Sequence, residues 1–109
     1  MVPFVKYHGI GNDFILINNL HQEDLLLKTS AEIRNCCDRR TGVGGDGVIF
    51  VLNPQSNSCS YTMRIFNSDG SEAEMCGNGI RCMTKFIRDH IEDSSIDINN
   101  RKGSYRIWT

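Results

Sequence analysis

The stretch Met75-Cys76-Gly77-Asn78-Gly79-Ile80-Arg81-Cys82 carries the residue types and spacing in this chain that could do chemistry. A cysteine is followed at once by Gly-Asn-Gly, and helical spacing begins just beyond it. A helix start leaves backbone N–H groups unpaired and presents the positive end of the helix dipole. A carboxylate or phosphate settles naturally there. The same field favours a thiolate, so the pKa of Cys76 is expected to be lowered. A thiol so tuned exchanges protons near neutral pH. The glycines let the backbone turn sharply and let a ligand come close. The plain alternative is that Cys76 is a small apolar core residue, as free cysteines commonly are.

The other reactive residue types form no comparable pattern. Cys82 falls within the helix and reads as packing; Cys36 and Cys37 lie in an earlier helix, and Cys59 opens a strand. None has a Cys-x-x-Cys spacing, so no metal is expected. Gly42-x-Gly44-x-x-Gly47 fits a dinucleotide glycine pattern. It follows a helix and precedes a strand, the reverse of what pyrophosphate binding requires. Four residues separate Cys76 from Arg81, one short of a thiol phosphatase loop. No Gly-x-Ser-x-Gly elbow supports serine chemistry. His8, His21 and His90 are scattered, and no base is assigned to them. No cofactor is expected.

The elements that must position Cys76 follow from apolar periodicity. Residues 3–8 read as a strand, residues 9–12 as a tight turn, and Phe14-Ile15-Leu16-Ile17 as a second strand. Thr29-Ser30-Ala31-Glu32 is a capping box that predicts a helix over 30–39. A glycine-rich loop over 41–47 leads to the β-favouring run Val48-Ile49-Phe50-Val51-Leu52. Residues 59–66 alternate as a strand, and an Asp-Gly turn closes them at 67–71. Ile80, Met83, Phe86, Ile87 and Ile91 mark one face of a helix over 78–91. Two more strands, 95–98 and 104–108, flank a turn at 99–103. The order β-β-α-β-β-α-β-β predicts an α+β domain with hairpins.

The 109 residues suffice for one domain. Net charge is -1, which points to neither nucleic acid nor an anionic membrane. The densest basic groups, Asp38-Arg39-Arg40 and Arg101-Lys102, read as solvated faces. The N-terminus has no secretory pattern, and no apolar run approaches the roughly 18 residues of a membrane span. With five cysteines and no such signal, a reducing cytoplasm without a disulfide framework is the expectation. The apolar β segment Ile107-Trp108-Thr109 at the end suggests a piece of something longer.

Four segments together resemble the diaminopimelate epimerase family. Lys6-Tyr7-His8-Gly9-Ile10-Gly11-Asn12-Asp13-Phe14 is similar to its Lys-x-His-Gly-x-Gly-Asn-Asp-Phe. Asp38-Arg39-Arg40-Thr41-Gly42-Val43-Gly44-Gly45-Asp46 is similar to its Asp-Arg-x-x-Gly-x-Gly-x-Asp. Arg64-Ile65-Phe66-Asn67-Ser68-Asp69-Gly70-Ser71 resembles its Arg-x-Phe-Asn-x-Asp-Gly-Ser, and Cys76 to Cys82 its Cys-Gly-Asn-Gly-x-Arg-Cys.

The resemblance implies inversion of the α-carbon of diaminopimelate by two cysteines, without pyridoxal phosphate or metal. It implies a curved, mostly antiparallel or mixed sheet wrapped around one central helix, in one of two similar halves. Residues 1–109 would be the N-terminal half, with a complementary C-terminal domain supplying the second cysteine. Cys76 matches the first cysteine, Asn12 and Asn67 the asparagines at the substrate's distal end, and Gly77 and Asn78 the backbone receiving the α-carboxylate. Gly47 is a departure in the pocket loop, where the family commonly has Gln. A homodimer is compatible with the resemblance. Proline racemase-like or phenazine-type isomerases, and a non-catalytic carboxylate-binding half-domain, are the alternative functions.

Overall fold

The computed structural model describes residues 2–9, 11–54, 60–74, 77–91 and 107–108. Its elements are β1 (Val5–His8), β2 (Asp13–Asn18), α1 (Ser30–Cys37), β3 (Gly47–Leu52), β4 (Tyr61–Asn67), β5 (Glu72–Ala73), α2 (Gly77–Phe86) with a π-helical turn (Ile87–Ile91), and β6 (Ile107–Trp108). The strands form one mixed sheet in the order β1-β2-β3-β4-β5, and β6 pairs with β4. The strand expected at 95–98, the turn at 99–103, the start of the last strand and Cys59 lie outside the described residues.

β1 and β2 make an antiparallel hairpin. β2 and β3 run parallel, with α1 in the crossover between them. Parallel neighbours need such a crossover because a tight turn cannot reverse the chain twice. The capping box starts α1. The Glu32 N–H donates to Thr29 Oγ1 at 3.1 Å, and the Thr29 N–H donates back to Glu32 Oε1 at 3.1 Å. At the other end the glycine-rich loop closes on the last turn: Gly44 and Gly45 N–H donate to the carbonyls of Cys36 and Cys37 at 3.0 and 3.1 Å. Those carbonyls would otherwise be orphaned. The loop's glycines thus serve the helix end.

Both faces of the central strands are covered, which explains why β2 and β3 read as continuous apolar runs. On one face Phe14, Leu16, Ile49, Val51, Met63 and Ile65 meet Cys82, Met83, Phe86 and Ile87. On the other, Ile15, Ile17, Val48, Phe50 and Phe66 meet Ile33 and Cys37 of α1. Each such side chain, taken fully out of water, contributes about 1.5–3 kcal/mol. Phe50 and Phe66 meet edge to face, centroids 5.6 Å apart.

Two details depart from the periodicity. β5 is only two residues, too short for alternation to reveal. The helix predicted to run unbroken to residue 91 widens after Phe86. That wider turn carries Asp89 and His90 together against Tyr7 of β1. The Tyr7 hydroxyl donates to Asp89 Oδ2 at 2.7 Å, and the His90 ring lies 6.2 Å from the Tyr7 ring. Burial, then the bond to Asp89, pushes the Tyr7 phenol up to about 12. Among the described residues no helix is long and apolar enough to cross a membrane.

Candidate active site

The strand register gathers three of the expected residues at one end of the sheet. Phe14 pairs with Gly47, and Gly47 with Asn67. Asn12 immediately precedes β2, so Asn12, Gly47 and Asn67 lie on three adjacent strands or their ends. Strand alternation puts Asn67 on the side of Met63 and Ile65, the face that α2 covers. Two strand spacings put Asn67 about 10 Å from the Asn12 end of β2.

The start of α2 comes to this same end. The Asn78 side-chain amide donates to Asn12 Oδ1 at 3.1 Å. The turn of the first hairpin packs directly on the helix: a Cβ on Gly9 would stand 3.2 Å from Asn78 Cβ and 3.5 Å from Cys82 Sγ. Inside the turn, the Gly9 N–H donates to the Asn12 carbonyl at 2.7 Å. Gly77 is exposed, and a Cβ there would meet nothing within 4 Å. The first turn of α2 contains no acidic residue, so none of its own carboxylates neutralises the dipole's positive end. Backbone N–H groups at a helix start can take an anion.

A charged cluster holds the turn from the α1 side of the sheet. Arg39 grips Asp13 through two bonds, Nη1 to Oδ2 at 3.0 Å and Nη2 to Oδ1 at 2.8 Å. Its Nη2 also reaches Asp46 Oδ1 at 3.2 Å, and Lys6 Nζ lies 2.9 Å from Asp13 Oδ2. Asp46 Oδ2 accepts the Asp13 N–H at 2.9 Å and lies 3.5 Å from Asn12 Nδ2. Asp13 is buried. The Arg39 fork, then Lys6, holds its carboxyl well below the ordinary carboxylate range against the opposing effect of burial. Asp38-Arg39-Arg40 is exposed, as a solvated face should be. Arg39 nevertheless lays its guanidinium on the buried Asp13 carboxylate, a pairing the solvated-face reading did not include.

A family model described as diaminopimelate epimerase matches residues 4–109. The chain belongs to the diaminopimelate epimerase family. It is 57% identical over 106 residues to a protein named diaminopimelate epimerase from Trichodesmium erythraeum (strain IMS101), covering 97% of this chain and 35% of that protein. It is 55% identical over 108 residues to the one from Nostoc punctiforme, covering 99% of this chain and 36% of that protein. A third, from Microcystis aeruginosa, is 52% identical over 109 residues. The chain therefore spans about a third of the length of these epimerases.

Of the residues that the sequence resemblance implied, Asn12 and Asn78 touch, Gly77 opens α2, and Asn67 lies across β3 at the same sheet end. The Asn67 amide donates to Ser71 Oγ at 3.0 Å within its own turn. Gly47 is the first residue of β3 rather than part of the loop. A Cβ there would meet the Phe66 carbonyl oxygen at 2.6 Å. A Gln at this position would require β3 and β4 to move apart. Cys76 lies outside the described residues. Cys82 is buried, matching its assignment to packing. Burial raises the Cys36 thiol, and burial followed by the neighbouring Cys36 pushes Cys37 up to about 11. The charged cluster was missed by sequence reasoning. Its sequence signals were a charged residue, Asp13, at the head of an apolar strand, and the place of Lys6, Asp13, Arg39 and Asp46 in two of the motifs quoted above.

Proposed function

We propose that this chain forms one half of a cofactor-independent diaminopimelate epimerase site, in which Cys76 exchanges the α-proton of the substrate. The observation that supports this best is the convergence of an open helix start at Gly77 with Asn12 and Asn67 at one sheet end. In this reading the backbone N–H groups of Gly77 and Asn78 receive the α-carboxylate. Charge that develops as the carbanion forms is stabilised there by fixed dipoles. Cys76, one residue before the helix, stands beside that carboxylate with its thiolate favoured by the same field. Asn12 and Asn67 hold the distal amino-acid end.

A site of this kind needs a second acid–base group on the opposite face of the α-carbon. A complementary domain, corresponding to the remainder of the relatives' length, supplies it and closes the cleft. Closure expels water, which strengthens every electrostatic contact in the site. The test is a chimera that joins this chain to the remaining two thirds of the Trichodesmium erythraeum protein. It is expected to interconvert LL- and meso-diaminopimelate, and Cys76→Ala to lower the rate by about 10²–10⁴-fold, the range for a lost acid–base group. A folded chimera without activity, or one indifferent to Cys76→Ala, would overturn the proposal.

A further inference from the structure

The charged cluster converges on the Asn12–Asp13 segment: Arg39 and Lys6 hold the Asp13 carboxylate, and Asp46 reaches the Asp13 N–H and the Asn12 amide. Within the turn, Gly9 N–H to Asn12 O is a local hold. The other holds come from loop 41–46: Asp46 Oδ2 accepts the Asp13 N–H, and the Asp46 N–H donates to the Asp13 carbonyl at 2.8 Å. Asp46 is in turn pulled by Arg39, whose planar fork bridges Asp13 and Asp46 at once. The loop itself is tied to the end of α1. Asn12 Oδ1 then accepts from Asn78. One continuous path therefore runs from α1, through Arg39 and Asp46, to Asn12 and the first turn of α2.

We propose that Arg39 and Asp46 are positioning residues for substrate binding: together they fix the Asn12–Asp13 peptide and so set the Asn12 amide against Asn78. This rests on the reading above, in which Asn12 holds the distal end of the substrate. A contrast sits elsewhere in the molecule. Arg64 makes an equally good fork on Glu72, at 2.8 and 2.6 Å, but that pair joins β4 to β5 and grips no turn residue. Arg64 thus serves as a control for losing a surface Arg–carboxylate fork.

The experiment measures steady-state kinetics of the two-domain chimera carrying Arg39→Gln, Asp46→Asn or Arg64→Gln, each alone and combined with Asn12→Ala. Arg39→Gln and Asp46→Asn should raise KM about tenfold with kcat within about threefold, the signature of lost uniform binding. Arg39→Lys should not rescue KM, because an ammonium cannot reproduce the planar two-bond fork on Asp13 while also reaching Asp46. In the Asn12→Ala background, either change should alter KM by less than about twofold, since residues acting through one group are not additive. Arg64→Gln should leave KM unchanged. Additive effects with Asn12→Ala, or unchanged KM in a folded Arg39→Gln or Asp46→Asn variant, would overturn the positioning role. Should Arg39→Gln not fold, Asp46→Asn decides the matter alone. An Asn12→Ala variant with normal KM removes the substrate role of Asn12 and this proposal with it. Activity that still depends on Cys76 would show that the proton-transfer reading survives.

Discussion

Gly47→Ala tests the packing at the site end of the sheet. The added methyl would stand 2.6 Å from the Phe66 carbonyl oxygen, about 0.8 Å short of ordinary van der Waals contact at 3.4 Å. That oxygen is backbone in the β3–β4 ladder and cannot swing away as a side-chain tip can. The Phe14 ring, 3.4 Å off on the other strand, blocks retreat in that direction. Overpacking of this kind costs about 1–3 kcal/mol. Removing a glycine from the unfolded chain returns about 0.4–1 kcal/mol. The net expectation is a loss of about 1–2 kcal/mol. With a urea slope of about 1–3 kcal/mol per molar, the unfolding midpoint falls by roughly 0.5–1 M. Urea unfolding of the chain, followed by tryptophan fluorescence and far-ultraviolet dichroism, measures it. A variant as stable as the parent, or more so, would refute the close β3–β4 approach. It would also reopen this position to a side chain such as Gln.

Three further outcomes follow from particular groups. Thr62 Oγ1 is buried and has no hydrogen-bond partner among the described residues. Thr62→Val should therefore be neutral or stabilising by up to about 1 kcal/mol, and a clear loss in thermal unfolding would reveal a partner for the hydroxyl. Asp13 titrates well below its unfolded value of about 3.9, so its contribution to stability is complete above about pH 4 and declines as the pH falls below that. Asp13→Asn should flatten the acid limb of the stability–pH curve, and an unchanged limb would contradict the pairing with Arg39 and Lys6. Iodoacetamide at pH 7.5, mapped by peptide mass spectrometry, should reach Cys76 before Cys36 and Cys37, whose thiols burial raises. Faster labelling of either helix cysteine would contradict that order.

Much of the scaffold is written in short-range pattern. The capping box at Thr29 and Glu32 formed as its residue types predict. The apolar runs of β2 and β3 and the alternation of β4 marked strands, and Met83, Phe86 and Ile87 marked the buried stripe of α2. What pattern cannot carry is pairing between distant segments. An apolar run looks the same whether its neighbour is parallel or antiparallel, so the β2–β3 pairing was not legible. Arg39 looked like any surface arginine because the feature that changes its role, Asp13, is 26 residues away in sequence. The Asn12–Asn78 contact spans 66 residues, and family resemblance gave both residues as binding groups without showing that they meet.

Hydrogen exchange at the substrate's α-carbon reports most directly on what the start of α2 is for. With the two-domain chimera in deuterated water, LL-diaminopimelate should give α-deuterated meso product, and Cys76→Ala should slow formation of that product by about 10²–10⁴-fold. Deuterated meso product forming as fast in Cys76→Ala as in the parent would contradict the assignment of proton transfer to this end of the sheet.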